Sequence, residues 1–506
     1  MIKSNRWGEI ISHNKGISSP FPFVITLITL LLGGALGMLI PFIVRFVSAG
    51  VNLDKVGTTL AMFGSLFWVL VISVIGITLV ILLRQDELAV TLVIAINLCV
   101  DWYLGILFIS QVLSIALLVI FFLARSPRHT WVEPRALWLW VLFLALTIYP
   151  AIQGALTPRD ILLYYPSIVL GALVMFWLGT VIAKSLTNVR LFFQILSAFA
   201  ALIALHSIVQ AITGVTLFGS SSVNNYIANQ SNYDLSGASN VSRVGSFFIQ
   251  PDFSGTFFAM IILIPIGLFA DSTSILKKIL YLAEIFIFLT ALLFTYSTGS
   301  WFSAFGGIAV FLIFVGRIRY RVLIPLMITV ATIVMLVWFP SQVNLLLQHS
   351  SDPSELRLRN AVWQTGWNVM LAYPWTGVGL GHLAYLLRAE PYRVLAQYLP
   401  YDHPHNSYLE WGAMAGFPVL FVFLALISFS LWQALGNWIR AEAKTRALLG
   451  AGIAAIIALS INSISIDGWT LPPLAATGWM ILGAISSPLL RKSLDSERNN
   501  SKTSNS

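Results

Sequence analysis

The sequence predicts an all-α polytopic membrane protein with about 12–14 transmembrane helices and a large external helical loop. Of its 506 residues, 58% are hydrophobic and only 10% are charged, and the mean hydropathy is +0.85. Uncharged stretches at residues 22–44, 58–83 and 161–183 are each long enough, at about 1.5 Å per residue, to cross a hydrocarbon core of roughly 30 Å. Lipid offers backbone groups no hydrogen-bond partner, so these stretches are expected to be helices.

The candidate spans can be placed one by one along the chain. They centre near residues 33, 70, 94, 113, 144, 172, 201, 261, 287, 308, 331, 422, 456 and 481. The third, residues 88–100, is short and is followed by Asp101, so a tilted or re-entrant element is an alternative there. The number of spans therefore stays open between about 12 and 14.

Lysine and arginine orient these spans. With a cytoplasmic N-terminus, the inner connections hold most of the 29 basic residues, including clusters at residues 125–135, 277–278, 317–321 and 440–446. We therefore interpret the sequence as that of a multi-pass protein of the bacterial inner (plasma) membrane with both termini in the cytoplasm. The net charge of +9 is then a topology signal, and it gives no reason to expect nucleic acid as a partner.

Two outer segments keep basic residues that this bias does not explain. The first, residues 214–250, is rich in Ser, Asn and Gly. The second, residues 341–410, is the largest polar region, and its stretch 355–371 spaces apolar residues on one face of an amphipathic surface helix. Arg357 and Arg359 lie at the start of that helix. A loop of this length with its own helix is typical of a functional region.

The densest group of titratable residues lies at residues 401–418, just before a span enters the membrane. It contains Asp402, His403, His405, Asn406 and Glu410. Histidine exchanges a proton near neutral pH, and arginines facing it would suit a diphosphate through paired N–H donors. A third ligand for a metal at His403 and His405 is not evident, so neither metal nor cofactor is predicted. Phosphate-loop and dinucleotide motifs are absent from the sequence, so any donor is expected to arrive as a lipid-linked molecule.

These motifs, taken in order, resemble the O-antigen ligase and O-antigen polymerase superfamily over residues 241–435. The resemblance is carried by Arg243 with Pro251-Asp252, Arg359, Gly377-Val-Gly-Leu-Gly381, His405-Asn406, Glu410, Gly416 and Pro418, with Gln210 on an earlier helix. One departure concerns Ser297-Thr298-Gly299, where family members often carry Ser-Arg-Gly.

The resemblance implies a metal-independent, inverting glycosyltransferase of cell-surface polysaccharide biosynthesis. Such an enzyme moves a glycan from undecaprenyl diphosphate to an acceptor hydroxyl on the outer face of the membrane. Its partners would be the lipid-linked glycan donor, membrane lipid, and a glycan, lipid or protein acceptor. The implied catalytic residues are His405 as general base and Glu410 as its orienting group. The implied substrate-binding residues are Arg243, Arg357, Arg359, Asn406 and Gln210, with Arg357 compensating for the arginine missing at Thr298.

With this interpretation the chain divides into four regions. Residues 1–240 are expected to be an N-terminal transmembrane bundle with the first external loop, and residues 241–435 an O-antigen ligase-like catalytic region that includes the external loop 341–410. Residues 436–490 are expected to be C-terminal transmembrane helices. Residues 491–506, rich in Ser, Asn and Lys, are expected to be a disordered cytoplasmic tail.

Alternatives stay open at two levels. A polymerase of the same superfamily shares the motifs, whereas a polysaccharide or lipid transporter would place charges and broken helices near the bilayer midplane. Individual residues also have structural interpretations. His405 could cap the following helix, and Gln210 could hydrogen-bond between helices.

Overall fold

The computed structural model of the chain describes residues 86–102, 109–124, 136–156, 164–213, 243–315, 318–350, 353–398 and 400–503. Every regular element in these ranges is a helix, which confirms the all-α fold class. The expected spans near residues 33 and 70, and most of the outer segment 214–250, lie outside the described residues.

The described helices are numbered here in chain order. They are α1 (Asp86–Ile96), α2 (Ile109–Ala124), α3 (Leu137–Gly154), α4 (Gly171–Ile182), α5 (Leu186–Thr213), α6 (Pro251–Ile261), α7 (Leu263–Asp271), α8 (Ile275–Thr295), α9 (Thr298–Phe314), α10 (Ile318–Trp338), α11 (Pro340–Ser350), α12 (Pro353–Ala372), α13 (His382–Ala389), α14 (Ser407–Arg440), α15 (Arg446–Asn462), α16 (Pro472–Ser486) and α17 (Pro488–Thr503). Short π-helical turns extend α1 and precede α4, and 3₁₀ turns lie at Ser246–Phe248 and Glu390–Tyr392. Every expected span centre within the described residues falls inside one of these helices.

Many of these helices are apolar enough to cross a membrane. Among the described residues, eight helical segments meet this condition by length and composition. They are Leu137–Gly154, Tyr165–Ile182, Leu186–Thr213, Pro251–Asp271, Ile275–Thr295, Ile318–Trp338, Ser407–Arg440 and Pro472–Asn500. The apolar helices α9 and α15 are shorter. The prediction of a polytopic membrane protein is therefore confirmed.

The predicted surface helix at residues 355–371 lies within α12, but its apolar face is divided. Met370 is buried and packs on α14, where a Cβ added to Gly412 would lie 2.1 Å from the Met370 sulfur. Trp367 and Leu371 remain exposed. Helix α12 therefore packs partly against the bundle and keeps only part of its apolar surface outward.

The C-terminal segment differs from the expected disordered tail at 491–506. It is helical to Thr503 in α17, which buries Leu490 and Leu494 and pairs Asp495 with Arg440 at 3.1 Å. Two leucines four residues apart form one narrow stripe on a helix. This local spacing outweighs the polar composition that suggested disorder.

Helices α4 and α16 cross in close contact through two glycines. A Cβ on Gly179 would lie 2.1 Å from the Met480 carbonyl oxygen, and one on Gly483 would lie 2.0 Å from the Phe176 carbonyl oxygen. Small residues that let backbones approach are the usual device for packing helices in lipid, where apolar surface alone gives little preference between protein and lipid contacts.

The Gly-Val-Gly-Leu-Gly motif closes one end of the bundle. Its Val378 N–H donates to the Ala413 carbonyl at 2.9 Å, and the Leu380 N–H donates to the Pro150 carbonyl at 2.8 Å. The Arg388 guanidinium donates to the Val378 carbonyl as well. Helix α14 is broken beside this motif at Gly416, which has φ 86°, a conformation that glycine adopts at little cost. The residues of α14 before the break therefore belong to the end of the bundle that carries the site described below.

We expect Gly483→Ala to destabilise the protein by about 1–3 kcal/mol, because the added methyl group overpacks the α4–α16 crossing. The matched control is Gly436→Ala in α14, where a Cβ would meet only the end of the Arg440 side chain at 3.5 Å. That change should be neutral or stabilise by up to about 1 kcal/mol through helix propensity. Thermal unfolding of both variants in one detergent makes the comparison, and equal Tm values would contradict the packing argument.

Candidate active site

His405 is held in a backbone conformation that few non-glycine residues adopt. Its φ is +48°, in the left-handed region, which persists only where the surroundings determine it. On one side, the Trp363 indole N–H donates to the His405 carbonyl at 3.4 Å. On the other, Asn406 caps α14, its side-chain oxygen accepting the N–H groups of Tyr408 and Leu409 at 3.0 and 3.1 Å. Asn406 was expected to bind sugar, but it is buried and its oxygen serves this cap.

The imidazole of His405 belongs to a group that we call the histidine cluster. Its members are His382, Asp402, His403, His405, Glu410 and Asp467. His403 Nε2 lies 3.0 Å from His405 Nδ1 and 3.3 Å from Asp467 Oδ1, while His405 Nδ1 lies 3.9 Å from the same carboxylate oxygen. The other ring nitrogen of His403 hydrogen-bonds Asp402 at 2.7 Å. His403 thus links two carboxylates to His405.

Glu410 does not orient His405, which corrects the expectation from the sequence. Its carboxylate lies 3.4 Å from His382 Nε2 and accepts a hydrogen bond from the Thr470 hydroxyl at 2.5 Å. His382 in turn lies 3.5 Å from Asp402 and stacks on His403, with ring centroids 4.9 Å apart. The reason is geometric: Glu410 lies one turn inside α14, where its carboxylate meets His382, the first residue of α13. Its effect on His405 is therefore indirect, through His382 and Asp402.

The carboxylates divide the histidines into charged and neutral members. Burial alone lowers the pKa of an imidazole, but in His382 the hydrogen bonds to Asp402 and Glu410 outweigh burial and raise the pKa to about 10. In His403 burial is again outweighed, here by Asp467 and Asp402, and the pKa rises to about 10. Burial and the positive charge of His403 lower the pKa of His405 to about 4. His405 is therefore neutral at physiological pH.

Two of the expected arginines converge beside this cluster. Arg243 donates from Nε to the Thr295 carbonyl at 3.0 Å and from Nη2 to Asp252 at 2.8 Å. Arg359 donates from Nη1 to the Ser465 carbonyl at 3.3 Å. The charges of both arginines act on the Asp252 carboxylate, and that of Arg359 also acts on His405. Arg359 is thus close enough to act electrostatically on both the Asp252 carboxylate and the imidazole of His405.

Arg357 and Gln210 are placed differently from the expectation. Arg357 is exposed, and two residues of an α-helix diverge by about 200°, so it does not share the face of Arg359. Gln210 is buried, and its side-chain oxygen accepts the Ser246 N–H at 3.0 Å. His206 hydrogen-bonds the hydroxyl of Ser246 at 2.7 Å. Gln210 and His206 thus hold the turn that follows Arg243, and Gln210 has the interhelical role that was its alternative.

His382 and Asp467 were missed by the sequence interpretation. Asp467 is the one carboxylate in the short connection between α15 and α16. A charged residue in such an apolar region is a default functional hypothesis, and this could have pointed to Asp467. His382 follows the glycine motif directly, and nothing in its local sequence points to residues 402–410. His382 pairs with Glu410 and Asp467 pairs with His403, and only the fold brings these chain segments together.

A comparison with known families bears on this end of the bundle. Residues 284–424 match the sequence model of a family described as O-antigen ligase. Over this segment the chain is similar to the O-antigen ligase family, which agrees with the resemblance found in the sequence. No curated protein matches the chain. The matched segment contains Arg359 and every member of the histidine cluster except Asp467. Arg243 and Asp467 lie outside it, and the fold brings them to the site. The match supports a membrane glycosyltransferase of the O-antigen ligase type, and that family implies a lipid-linked glycan donor.

We expect His382→Ala to destabilise the fold by on the order of 2–3 kcal/mol. The change leaves the Glu410 carboxylate, whose side chain is only 3% exposed, without its cationic partner. The double variant His382→Ala/Glu410→Gln removes the stranded charge and should recover most of the loss. Glu390→Gln breaks the exposed pair with Arg393 and should change Tm little. Additive single effects in the double variant would contradict the pairing.

Proposed function

We propose that this protein transfers a glycan from undecaprenyl diphosphate to an acceptor hydroxyl, without a metal ion and with inversion at the anomeric carbon. The observation that carries the proposal is a neutral imidazole, His405, next to arginines with unused donors. The His405 side chain is 32% exposed, and among the described residues its Nε2 has no hydrogen-bond partner. An incoming hydroxyl could therefore reach this nitrogen.

The arginines suit the leaving diphosphate. Arg243 uses Nε and Nη2 within the protein and Arg359 uses Nη1, so each keeps at least one N–H-bearing nitrogen without a partner in the described part of the chain. Planar guanidinium donors match phosphate oxygens in pairs and stay charged at any physiological pH. Charge that develops on the departing diphosphate would be stabilised where Arg243 and Arg359 converge.

His405 would take the acceptor proton on Nε2. This requires the ring hydrogen on Nδ1, which then donates to His403 Nε2 across 3.0 Å, while His403 Nδ1–H donates to Asp402. A protonated His403 would instead donate to His405 and place the ring hydrogen on Nε2. The active form therefore carries one proton fewer than the charge state described above, in which His403 is a cation, so transfer requires that His403 first lose this proton. Asp467, 3.9 Å from His405 Nδ1, stabilises the imidazolium that then forms on His405.

The chemical balance is a single displacement. The acceptor oxygen bonds to the anomeric carbon, the bond from that carbon to the diphosphate oxygen breaks, and the acceptor proton moves to His405. Attack opposite the leaving group inverts the anomeric configuration. A polymerase of the superfamily would run the same chemistry with a second lipid-linked glycan as acceptor.

A transporter is disfavoured by where the polar residues lie. His405 precedes α14, Asp467 lies between α15 and α16, and Arg243 precedes α6, so the site is built on helix ends and connections. Alternating-access transporters place their sites at helix breaks near the bilayer midplane.

We expect His405→Ala to reduce transfer by at least roughly 10²-fold, because the general base is lost. Donor binding should persist, since the arginines remain. His403→Ala removes only an orienting group and should cost less. The assay is transfer from a synthetic undecaprenyl-diphosphate glycan by protein in nanodiscs, with and without EDTA. Full activity of His405→Ala would end the general-base role. Activity that is lost when EDTA is added would overturn the metal-independent mechanism.

We expect Arg243→Lys and Arg359→Lys each to lower kcat markedly with little change in Tm. Lysine keeps the charge but not the two-donor plane. Arg393→Lys is the matched control, since Arg393 pairs with Glu390 on the exposed surface. Arg357→Ala should also be close to wild type, because Arg357 faces away from the site. Wild-type rates in both lysine variants of the converging pair would remove the arginine clamp.

We further propose that the site faces the outer side of the bacterial inner membrane and that both termini are cytoplasmic. At the opposite end of the bundle lie Lys278 and Arg319, both contacting Tyr320, as the positive-inside rule requires. In a Cys99→Ser background, an impermeant thiol reagent should label Leu395→Cys, a fully exposed position, in intact spheroplasts. Arg319→Cys should react only after permeabilisation, and the reverse pattern would invert the orientation.

A further inference from the structure

Three atoms of the histidine cluster have the spacing of metal ligands. His403 Nε2, His405 Nδ1 and Asp467 Oδ1 lie 3.0, 3.3 and 3.9 Å apart. Around a tetrahedral Zn²⁺ with bonds of about 2.0–2.1 Å, neighbouring ligand atoms are roughly 3.3–3.4 Å apart. The three observed separations bracket this value, so one ion could reach all three atoms with small side-chain adjustments.

Two further observations point to a ligand at this position. Asp467 Oδ1 is buried and accepts no hydrogen bond from any described residue, although its side chain is only 3% exposed. The far nitrogen of His403 is hydrogen-bonded to Asp402 at 2.7 Å. A carboxylate behind a ligating histidine is the usual arrangement in metal sites, because it fixes the ring with the near nitrogen free to bind.

We propose that His403, His405 and Asp467 form a binding site for a divalent transition-metal ion of the zinc type, and that the bound ion inhibits glycan transfer. Two imidazoles and one carboxylate select such ions over Mg²⁺ and Ca²⁺, which take oxygen ligands. Three protein ligands leave the fourth tetrahedral position of such an ion for a water molecule.

The inhibition follows from the proton positions on His405. A metal on Nδ1 requires the ring hydrogen on Nε2, and a nitrogen that carries hydrogen cannot accept the acceptor proton. The ion also removes the hydrogen bond from His405 Nδ1 to His403. This second half of the proposal rests on the proposed function, whereas metal binding does not.

Binding is tested on the full-length protein in detergent, stripped with EDTA and then titrated with ZnCl₂ in a calorimeter. We expect one Zn²⁺ per chain for wild type and for the control Glu390→Gln, which removes an exposed carboxylate elsewhere on the outer segment. Asp467→Asn should bind at least about 100-fold more weakly, and Asp402→Asn, one shell further out, about 10–100-fold more weakly. MgCl₂ should give no heat of binding. Absence of Zn²⁺ binding to wild type, or undiminished binding by Asp467→Asn, would overturn the site.

Two measurements keep the test independent of folding and of catalysis. Wild-type protein loaded with Co²⁺ should show the visible absorption of a four-coordinate nitrogen and oxygen site, and its absence would count against the site without any variant. Zn²⁺ should inhibit transfer by wild type and Glu390→Gln, with recovery on EDTA. Zn²⁺ binding with undiminished transfer would overturn the inhibition alone, and transfer that requires Zn²⁺ would overturn it together with the metal-independent mechanism. Loss of transfer under every condition, with Zn²⁺ binding intact, would refute only the proposed function.

Discussion

Carboxylates shielded from water must find partners inside the protein, and at the site end of this bundle those partners are histidines. Asp467 and Glu410 have side chains that are each only 3% exposed, and an unpaired charge at such depth is strongly unfavourable. The cationic ring of His403 lies 3.3 Å from the first and that of His382 lies 3.4 Å from the second, and the two stacked rings join these pairs. The start of α14, the α15–α16 connection and the start of α13 are therefore fixed relative to one another by charge.

The same constraint leaves His405 as the odd member. Two of the three histidines are held as cations by carboxylates, and the third is neutral because it lies next to them. Its left-handed backbone is maintained by the Asn406 cap of α14 on one side and by the Trp363 indole on the other. The cluster thus combines a rigid frame with one ring whose outer edge is accessible.

The sequence predicted the architecture well because lipid allows an apolar chain few choices: each long uncharged stretch had to be a helix. Helix α17 was missed because two leucines in a polar segment carry little compositional weight. Within the site, the motifs pointed to His405 and Arg359, and their roles stay predictions. The partners of Glu410 and the role of Asp467 could not be predicted, since they depend on contacts between segments about 30–60 residues apart that no local spacing encodes.

The His405-Asn406 motif places a structural residue, the cap of α14, beside the proposed general base. The place of Asn406 beside His405 suggested a substrate contact, but an asparagine immediately before a helix is also a favoured cap. The structure supports the cap. Without it, the first turn of α14 would leave its N–H groups unsatisfied beside the cluster.

The break at Gly416 divides α14 into a short part at the site and a long apolar part. The long part of α14 must adapt its tilt to membranes of different thickness, as any span does. The short part before Gly416 is instead fastened to the glycine motif, since the Val378 and Gly379 N–H groups donate to the Ala413 and Met414 carbonyls, each at 2.9 Å. The direction of the first turn of α14, which follows His405, is therefore set by contacts with the glycine motif, whereas the tilt of the long part must match the bilayer.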